Sequence, residues 1–332
     1  MTVYWLSMSQ PFEGLPTTPT ADELLDQAFS RAARAGRAKS GVEAQQSMLL
    51  TAANVLSDNL EHVVTAWPGI EALDPFYRDL ADAVAGVDAL RKQLNEVGWA
   101  GRKAGDIRRE YEGRFGDPET ARKLRKQAFA RMADVVEEVD DDLAAIAEAR
   151  QELRVLPEID PDEPTIVVAG YPNVGKSSFV NRVTRADNET DSYPFTTTQI
   201  HVGHLERERL RYQLVDTPGL LDRPAAERNG IESQAVSALT HAADTVLVFL
   251  DPTGECGYPR AVQWDLQADI AARFDAPVLT VATMRDKLDA DVDDDRVDYQ
   301  MSVTDGDGVS EVLDAAIGAV GYEPGLPFDG RS

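Results

Sequence analysis

The chain has 332 residues, long for one hydrophobic core and comfortable for two. Its 58 acidic side chains outnumber 33 basic ones, for a formal charge of −25, a field that repels nucleic acid and anionic lipid and argues against a DNA-binding or membrane-bound protein. Only seven of the cations are lysine and the acids run along the whole chain, a pattern suited to a solvated surface in high salt, with a merely soluble acidic protein as the bland alternative. The single cysteine, Cys256, excludes an intramolecular disulfide, and four scattered histidines without C-x-x-C spacing argue against zinc; a cytoplasmic location is expected. Neither a basic-then-apolar leader nor an apolar stretch of about 18 residues stands in the chain.

Residues 20–155 carry few prolines and long patterns with a 3.6-residue period. They predict helices at 20–35, 40–66, 75–98, 100–113 and 118–154, joined near Pro68, Pro75 and Pro118, which is an all-α helical bundle. The stretch Leu156-Pro157-Glu158-Ile159-Asp160-Pro161-Asp162-Glu163-Pro164 holds three prolines and four acids and cannot continue a helix. A domain boundary is expected there, dividing the chain into 1–160 and 161–332. Beyond it, apolar segments at 165–169, 212–216, 245–250 and 277–282, with a weaker one at 298–302, alternate with helical patterns. That alternation predicts an α/β domain with a mostly parallel sheet and helices on both faces, and residues 201–205 are expected to add an antiparallel edge strand.

The run Gly170-Tyr171-Pro172-Asn173-Val174-Gly175-Lys176-Ser177 is a complete G-x-x-x-x-G-K-[ST] phosphate loop, placed after the 165–169 strand and before a helical pattern that opens at Ser178. Helix amides would then face phosphates, Lys176 would reach the β- and γ-phosphates, and the Ser177 hydroxyl would bind Mg²⁺. A chance glycine turn would need neither the lysine nor the serine. Asp216-Thr217-Pro218-Gly219 closes the strand at 212–216; Asp216 is placed to hold Mg²⁺ through water and the Gly219 amide to touch a γ-phosphate, although D-x-x-G alone also makes ordinary turns. Between them lies Tyr193-Pro194-Phe195-Thr196-Thr197-Thr198, in which Thr197, with Thr196 as reserve, is expected to complete Mg²⁺ as a mobile switch; the alternative is a β-prone strand entry.

The strand at 277–282 runs into Thr283-Met284-Arg285-Asp286, where related GTPases carry Asn-Lys-x-Asp. Asp286 is the expected acceptor from guanine N1 and N2, Thr283 stands at the asparagine position, and the frame Asp286-Lys287-Leu288-Asp289 is the alternative. Ser302-Val303 would offer a backbone amide to guanine O6. The ligands implied are GTP or GDP with Mg²⁺. Leu220 occupies the place of the glutamine that orients water in many signalling GTPases, so slow intrinsic hydrolysis is expected. Asn173 either helps hold a K⁺ ion beside the phosphates or merely tolerates a turn conformation.

With these residues in place, the chain resembles the nucleolar GTP-binding protein 1 family, a branch of the Obg-related translation-factor GTPases. The resemblance covers Gly170 through Phe179, Val183-Thr184-Arg185-Ala186-Asp187, Phe195-Thr196-Thr197, Val202-Gly203-His204, Asp216-Thr217-Pro218-Gly219-Leu220-Leu221-Asp222 and the more distinctive Asp251-Pro252-Thr253-Gly254-Glu255-Cys256-Gly257. Upstream, Leu73-Asp74-Pro75-Phe76-Tyr77 and Leu156-Pro157-Glu158-Ile159-Asp160-Pro161 tie the helical half to the same family. The resemblance implies GTP hydrolysis coupled to assembly of the large ribosomal subunit, with the helical domain docking on ribosomal RNA, and the acidic, lysine-poor composition adds the expectation of a haloarchaeal member. It departs from the family at Thr283-Met284 and in lacking the long basic C-terminal extension of eukaryotic members. One local feature favours RNA docking: from residue 91 to 131, twelve cations (Arg91, Lys92, Arg102, Lys103, Arg108, Arg109, Arg114, Arg122, Lys123, Arg125, Lys126 and Arg131) face six acids inside an otherwise acidic chain. A solvated helix face is the competing explanation, as a P-loop ATPase or kinase, or a ribosome-binding module without turnover, are for the whole protein.

Overall fold

The structure, a computed structural model, describes residues 10–184, 190–195, 198–207, 209–223 and 228–321. The chain divides into two compact units: residues 11–72 with 84–154, and residues 73–83 with the chain from 155 onward.

In the helical unit, α1 (Ala21–Arg37) starts at a capping box in which the Thr20 hydroxyl accepts from the Glu23 amide and the Glu23 carboxylate accepts from the Thr20 amide. α2 (Gly41–Thr65), α4 (Val87–Glu112), α5 (Pro118–Glu138) and α6 (Asp140–Leu153) bury the 3.6-period apolar positions, among them Leu49, Leu56, Leu60, Val97, Met132 and Ile146. Two expected boundaries move. The break expected near residue 99 lies at Gly86, whose φ of +67° suits glycine, while Gly98 and Gly101 run through the middle of α4. Gly101 is there for close packing: a Cβ would come within 3.2 Å of the Leu60 Cβ, and its carbonyl accepts from the Ser57 hydroxyl at 2.8 Å. The helix expected over 118–154 is interrupted at Val139 (φ −106°, ψ 16°), so that Asp140, Asp141 and Asp142 begin a new helix, where carboxylates interact favourably with the N-terminal amides.

In the second unit, most of α3 (Pro75–Ala85) joins the proline-rich connection through Tyr77, whose buried hydroxyl meets the amide and carbonyl of Ile159, each at 3.0 Å. Among the described residues, seven strands form one sheet: β1 (Thr165–Ala169), β2 (Thr190–Phe195), β3 (Thr198–Arg207), β4 (Leu210–Asp216), β5 (Thr245–Leu250), β6 (Val278–Ala282) and β7 (Tyr299–Gln300), in the order β2-β3-β4-β1-β5-β6-β7. The pairs β4-β1, β1-β5, β5-β6 and β6-β7 are parallel; β2-β3 and β3-β4 are antiparallel. Residues 201–205 are therefore not an edge strand: β2 pairs outside them, Asp191 with Val202 and Ser192 with His201. β1 is buried at all five positions, the mark of a strand covered on both faces, and α7 (Lys176–Thr184), α8 (Gly230–Ala242), α9 (Arg260–Arg273) and α10 (Val309–Val320) complete the unit. The C-terminal end of β1, between β4 and β5, is the topological switch point at which open α/β sheets bind ligands.

Candidate nucleotide-binding site

The turn from β1 into α7 is shaped by glycine where the backbones crowd. Gly170 has φ +133°, and a Cβ there would lie 2.5 Å from the Phe249 carbonyl oxygen of β5, so only glycine fits. Gly175 has φ +99° and Asn173 has φ +65°, the left-handed region that asparagine tolerates; Pro172 and Val174 fill the loop, Val174 fully buried. The Asn173 side chain is exposed, as is Ser178 on the first turn of α7.

Lys176 is 5% exposed, and its ammonium donates to the carbonyls of Gly170 (2.6 Å) and Tyr171 (3.0 Å), so the lysine curls over the loop. Burial pushes its pKa down, with Asp216 and Asp222 opposing through their charges. At the end of β4, Asp216 is 1% exposed; its Oδ2 accepts from the Ser177 hydroxyl, while its buried Oδ1 has no hydrogen-bond partner among the described residues. Burial pushes the Asp216 carboxyl up, opposed first by the Ser177 hydrogen bond and then by the Lys176 charge. A hydroxyl and a carboxylate with one unmatched oxygen form a hard-oxygen donor set of the kind Mg²⁺ takes beside substrate phosphates and water. Thr197 and its reserve Thr196, the other expected ligand, lie outside the described residues.

Beyond Asp216, Thr217 donates its hydroxyl to the Val168 carbonyl at 3.2 Å, and the Gly170 amide donates to the Leu221 carbonyl at 3.0 Å. These bonds fasten residues 216–221 to β1 and to the start of the phosphate loop. The Gly219 amide donates to the Asp222 carboxylate at 2.7 Å. Leu220 is fully buried, so the position that often carries a water-orienting glutamine is part of the core.

On the far side, β6 ends at Ala282 and Thr283 spends its hydroxyl on the Leu250 carbonyl at 3.1 Å. Met284 takes a left-handed conformation (φ +56°) that turns the chain into the 3₁₀ turn Arg285–Lys287, which carries Asp286 exposed; Asp289 lies beyond the turn, also exposed. Ser302 is buried and its hydroxyl accepts from the Asp305 amide, bending the chain at Val303. That bend is held from two sides. Arg182 of α7 donates to the Val303 carbonyl at 2.8 Å, and Arg285 pairs with Asp307 at 2.9 Å while its amide donates to the Met301 carbonyl.

Several of these residues carried no local signal. Arg182 and Arg285 are two arginines among many, and the groups through which they hold this bend, Val303 and Asp307, are distant in sequence. The Asp251–Gly257 stretch is distinctive in sequence only through its family resemblance; in the structure the fully buried Asp251 accepts from the Thr253 amide (2.7 Å) and hydroxyl (2.6 Å) and from the Cys256 amide (2.7 Å). The loop so formed stacks Tyr258 on Tyr171 of the phosphate loop, ring centroids 4.2 Å apart, and pairs Glu255 with Lys287 beside Asp286. It braces both the loop at residues 170–177 and the turn that follows β6.

In the helical unit, the cations at residues 91–131 separate into two groups. Arg91, Arg108, Arg109, Arg114 and Arg131 pair with carboxylates, and Arg125 donates to Gln45 and stacks on Phe129. Among the described residues, Lys92, Arg102, Lys103, Arg122, Lys123 and Lys126 make no ion pair. No helix of the described residues is long and apolar enough to cross a membrane.

Two family models match the chain: the NOG1 N-terminal helical domain over residues 12–160 and a 50S ribosome-binding GTPase over residues 165–284. An uncharacterized protein of Methanocaldococcus jannaschii is 35% identical over 85% of this chain and 82% of its own length. Nucleolar GTP-binding protein 1 of Eremothecium gossypii is 32% identical over 93% of this chain and 50% of its own length, so the chain spans about half of that relative. The crystal structure of a Plasmodium falciparum nucleolar GTP-binding protein 1 is 31% identical, covering 50% of this chain and 90% of that one with a TM-score of 0.44.

Proposed function

Since the chain belongs to the nucleolar GTP-binding protein 1 family, we propose that it hydrolyses GTP to GDP and phosphate as a switch in large ribosomal subunit assembly, with residues 1–160 as the RNA-docking part and 161–332 as the GTPase part. The observation that carries this reading is the convergence of Lys176, Ser177 and a buried, half-satisfied Asp216 at the C-terminal end of β1. Ser177 and Asp216 would hold Mg²⁺, and the bound ion supplies neutralisation of charge on the β- and γ-phosphate oxygens. Lys176 exchanges its two loop carbonyls for phosphate oxygens, the α7 amides orient the anion, and the Gly219 amide senses the γ-phosphate. Phosphoryl transfer to water needs positioning and charge neutralisation more than covalent help, and with Leu220 in the core no side chain at that position orients the water. Slow intrinsic turnover follows, with K⁺ near Asn173 as a means of raising it in a high-salt cytoplasm.

Asp286, in the turn directly after β6, is the guanine reader in this proposal, with Thr283 at the strand end before it and the Ser302-Val303 bend offering an amide to O6. The buried Leu220 also favours a second reading, a ribosome-binding module that holds the nucleotide with little turnover. Multiple-turnover phosphate release from GTP in molar KCl, with ATP as competitor, separates the two. We expect slow GTP turnover that ATP does not inhibit, and its loss by about a hundredfold or more in Lys176→Ala and Ser177→Ala. Undiminished turnover in either variant would remove the phosphate loop from the reaction; wild-type binding without release would favour the holding module.

A further inference from the structure

The sequence Asp216-Thr217-Pro218-Gly219-Leu220-Leu221-Asp222 ends in a carboxylate that the proposed reaction does not use. Its place is informative. Asp222 Oδ2 accepts the Gly219 amide at 2.7 Å, and the Asp222 charge acts on the buried Lys176 ammonium. These are the two donors that the proposed function gives to a γ-phosphate: a backbone amide at the D-x-x-G glycine and the phosphate-loop lysine. The segment that carries Gly219 and Asp222 is fixed to the phosphate loop by the Leu221 carbonyl, which accepts the Gly170 amide, and to β1 by the Thr217 hydroxyl, which donates to the Val168 carbonyl. On its other side, Arg223 donates to the Gly219 carbonyl at 2.8 Å and pairs with the buried Glu232 of α8 at 2.8 Å, which holds the peptide following Gly219 from behind.

We propose that Asp222 is a γ-phosphate surrogate: its carboxylate holds the Gly219 amide until GTP displaces it, so that Asp222 sets the discrimination between GTP and GDP. The inference rests on the proposed reading of Gly219 and Lys176. A carboxylate and a phosphate oxygen are both anionic acceptors, and one amide hydrogen cannot serve both at full strength. GTP therefore has to break a charge-assisted hydrogen bond and bring its γ-phosphate beside a like charge. GDP meets neither cost, because its terminal phosphate stays in the loop. Displacing Asp222 also frees the residue immediately before Arg223, so the Arg223–Glu232 pair is the first contact a change of nucleotide state would alter.

The test is the ratio of GTP to GDP affinity, measured with a non-hydrolysable GTP analogue and GDP on the full chain in Mg²⁺. Asp222→Ala is expected to raise that ratio by about tenfold, the worth of one hydrogen bond to a charged group, with GDP affinity held within about twofold. Asp222→Asn, which keeps an oxygen acceptor but removes the charge, should raise it by less. If both nucleotides weaken together, or the ratio does not move, Asp222 is only a local brace for the loop and the inference fails. Should Asp222→Ala not fold, Asp222→Asn with its own ratio decides, since a partial rise supports competition and no rise overturns it. A wild-type chain that binds neither nucleotide overturns the underlying reading and this inference with it, whereas normal GDP and GTP binding with an unmoved ratio sinks this inference alone.

Discussion

Asp286 shows how much a single side chain must carry when its neighbours depart from the family. The Asn-Lys pair that precedes it in related GTPases is Thr283-Met284 here, and Thr283 directs its hydroxyl inward to the Leu250 carbonyl. In the proposed reading, guanine selection falls on the Asp286 carboxylate and on the Val303 bend, which Arg182 and Arg285 hold in place. We expect Asp286→Asn to shift preference from guanine to xanthine nucleotides, because the amide donates where guanine also donates, by about 1–3 kcal/mol of discrimination for one two-point contact. Competition of GTP against XTP checks it. Retained GTP preference in Asp286→Asn, with Asp289→Asn defective instead, would move the reader to the later frame.

At the level of elements, the loop that follows β5 explains why a stretch with no chemistry of its own sits beside the nucleotide segments. Asp251 gathers the Thr253 and Cys256 amides and the Thr253 hydroxyl on one buried carboxylate, and Gln263 of α9 donates to the Asp251 carbonyl at 3.0 Å. Burial alone would raise the Asp251 pKa, but the bonds from Thr253 and Cys256 together hold it below the usual carboxylate range. Its folded value is therefore lower than its unfolded one, near 4. The stabilisation is present above about pH 4 and is lost as pH falls through the depressed folded value. Asp251→Ala should cost about 1–3 kcal/mol, the desolvation of amides left without an acceptor, and loosen Tyr258 from Tyr171. Thermal melts at neutral pH check the cost; a melting temperature equal to wild type would show that water replaces the carboxylate.

For the whole molecule, charge is the dominant quantity. A chain at −25 repels itself, and salt relieves that repulsion because the Debye length shrinks to a few ångströms at molar ionic strength. We expect the melting temperature to rise by several degrees between about 0.1 M and about 2 M salt, equally in KCl and NaCl, whereas an effect through Asn173 would raise GTP turnover in KCl alone. Equal turnover in the two salts would reduce Asn173 to a left-handed turn residue. Against this acidic background, Arg122, Lys123 and Lys126 stand exposed on α5 and make no ion pair among the described residues, while Arg125 is engaged with Gln45 and Phe129. Replacing the first three with glutamine and sparing Arg125 should release the protein from large ribosomal subunits in co-sedimentation and flatten the salt dependence by about one unit of slope per lost phosphate contact, with GTP turnover unchanged. Co-sedimentation equal to wild type at matched salt would leave these cations as a solvated helix face.

What the amino-acid sequence determined by itself was whatever depends on neighbours along the chain. The phosphate loop between an apolar strand and a helix, the proline-rich connection, the buried parallel strands and the amphipathic bundle follow from local periodicity and from glycine and proline backbone limits. Helix breaks were less legible: a glycine inside α4 and one before it look alike until packing distinguishes Gly101, pressed against Leu60, from Gly86, turned to positive φ. Pairing was less legible still, since β2 lies outside β3 by hydrogen bonds that a polar stretch does not announce. The contacts that shape the candidate site, Arg182 with Val303, Tyr258 with Tyr171, Ser177 with Asp216, join residues 39 to 121 positions apart. Only the tertiary structure decides such contacts, because the free energy that selects them comes from burying and satisfying groups which meet once the sheet has closed.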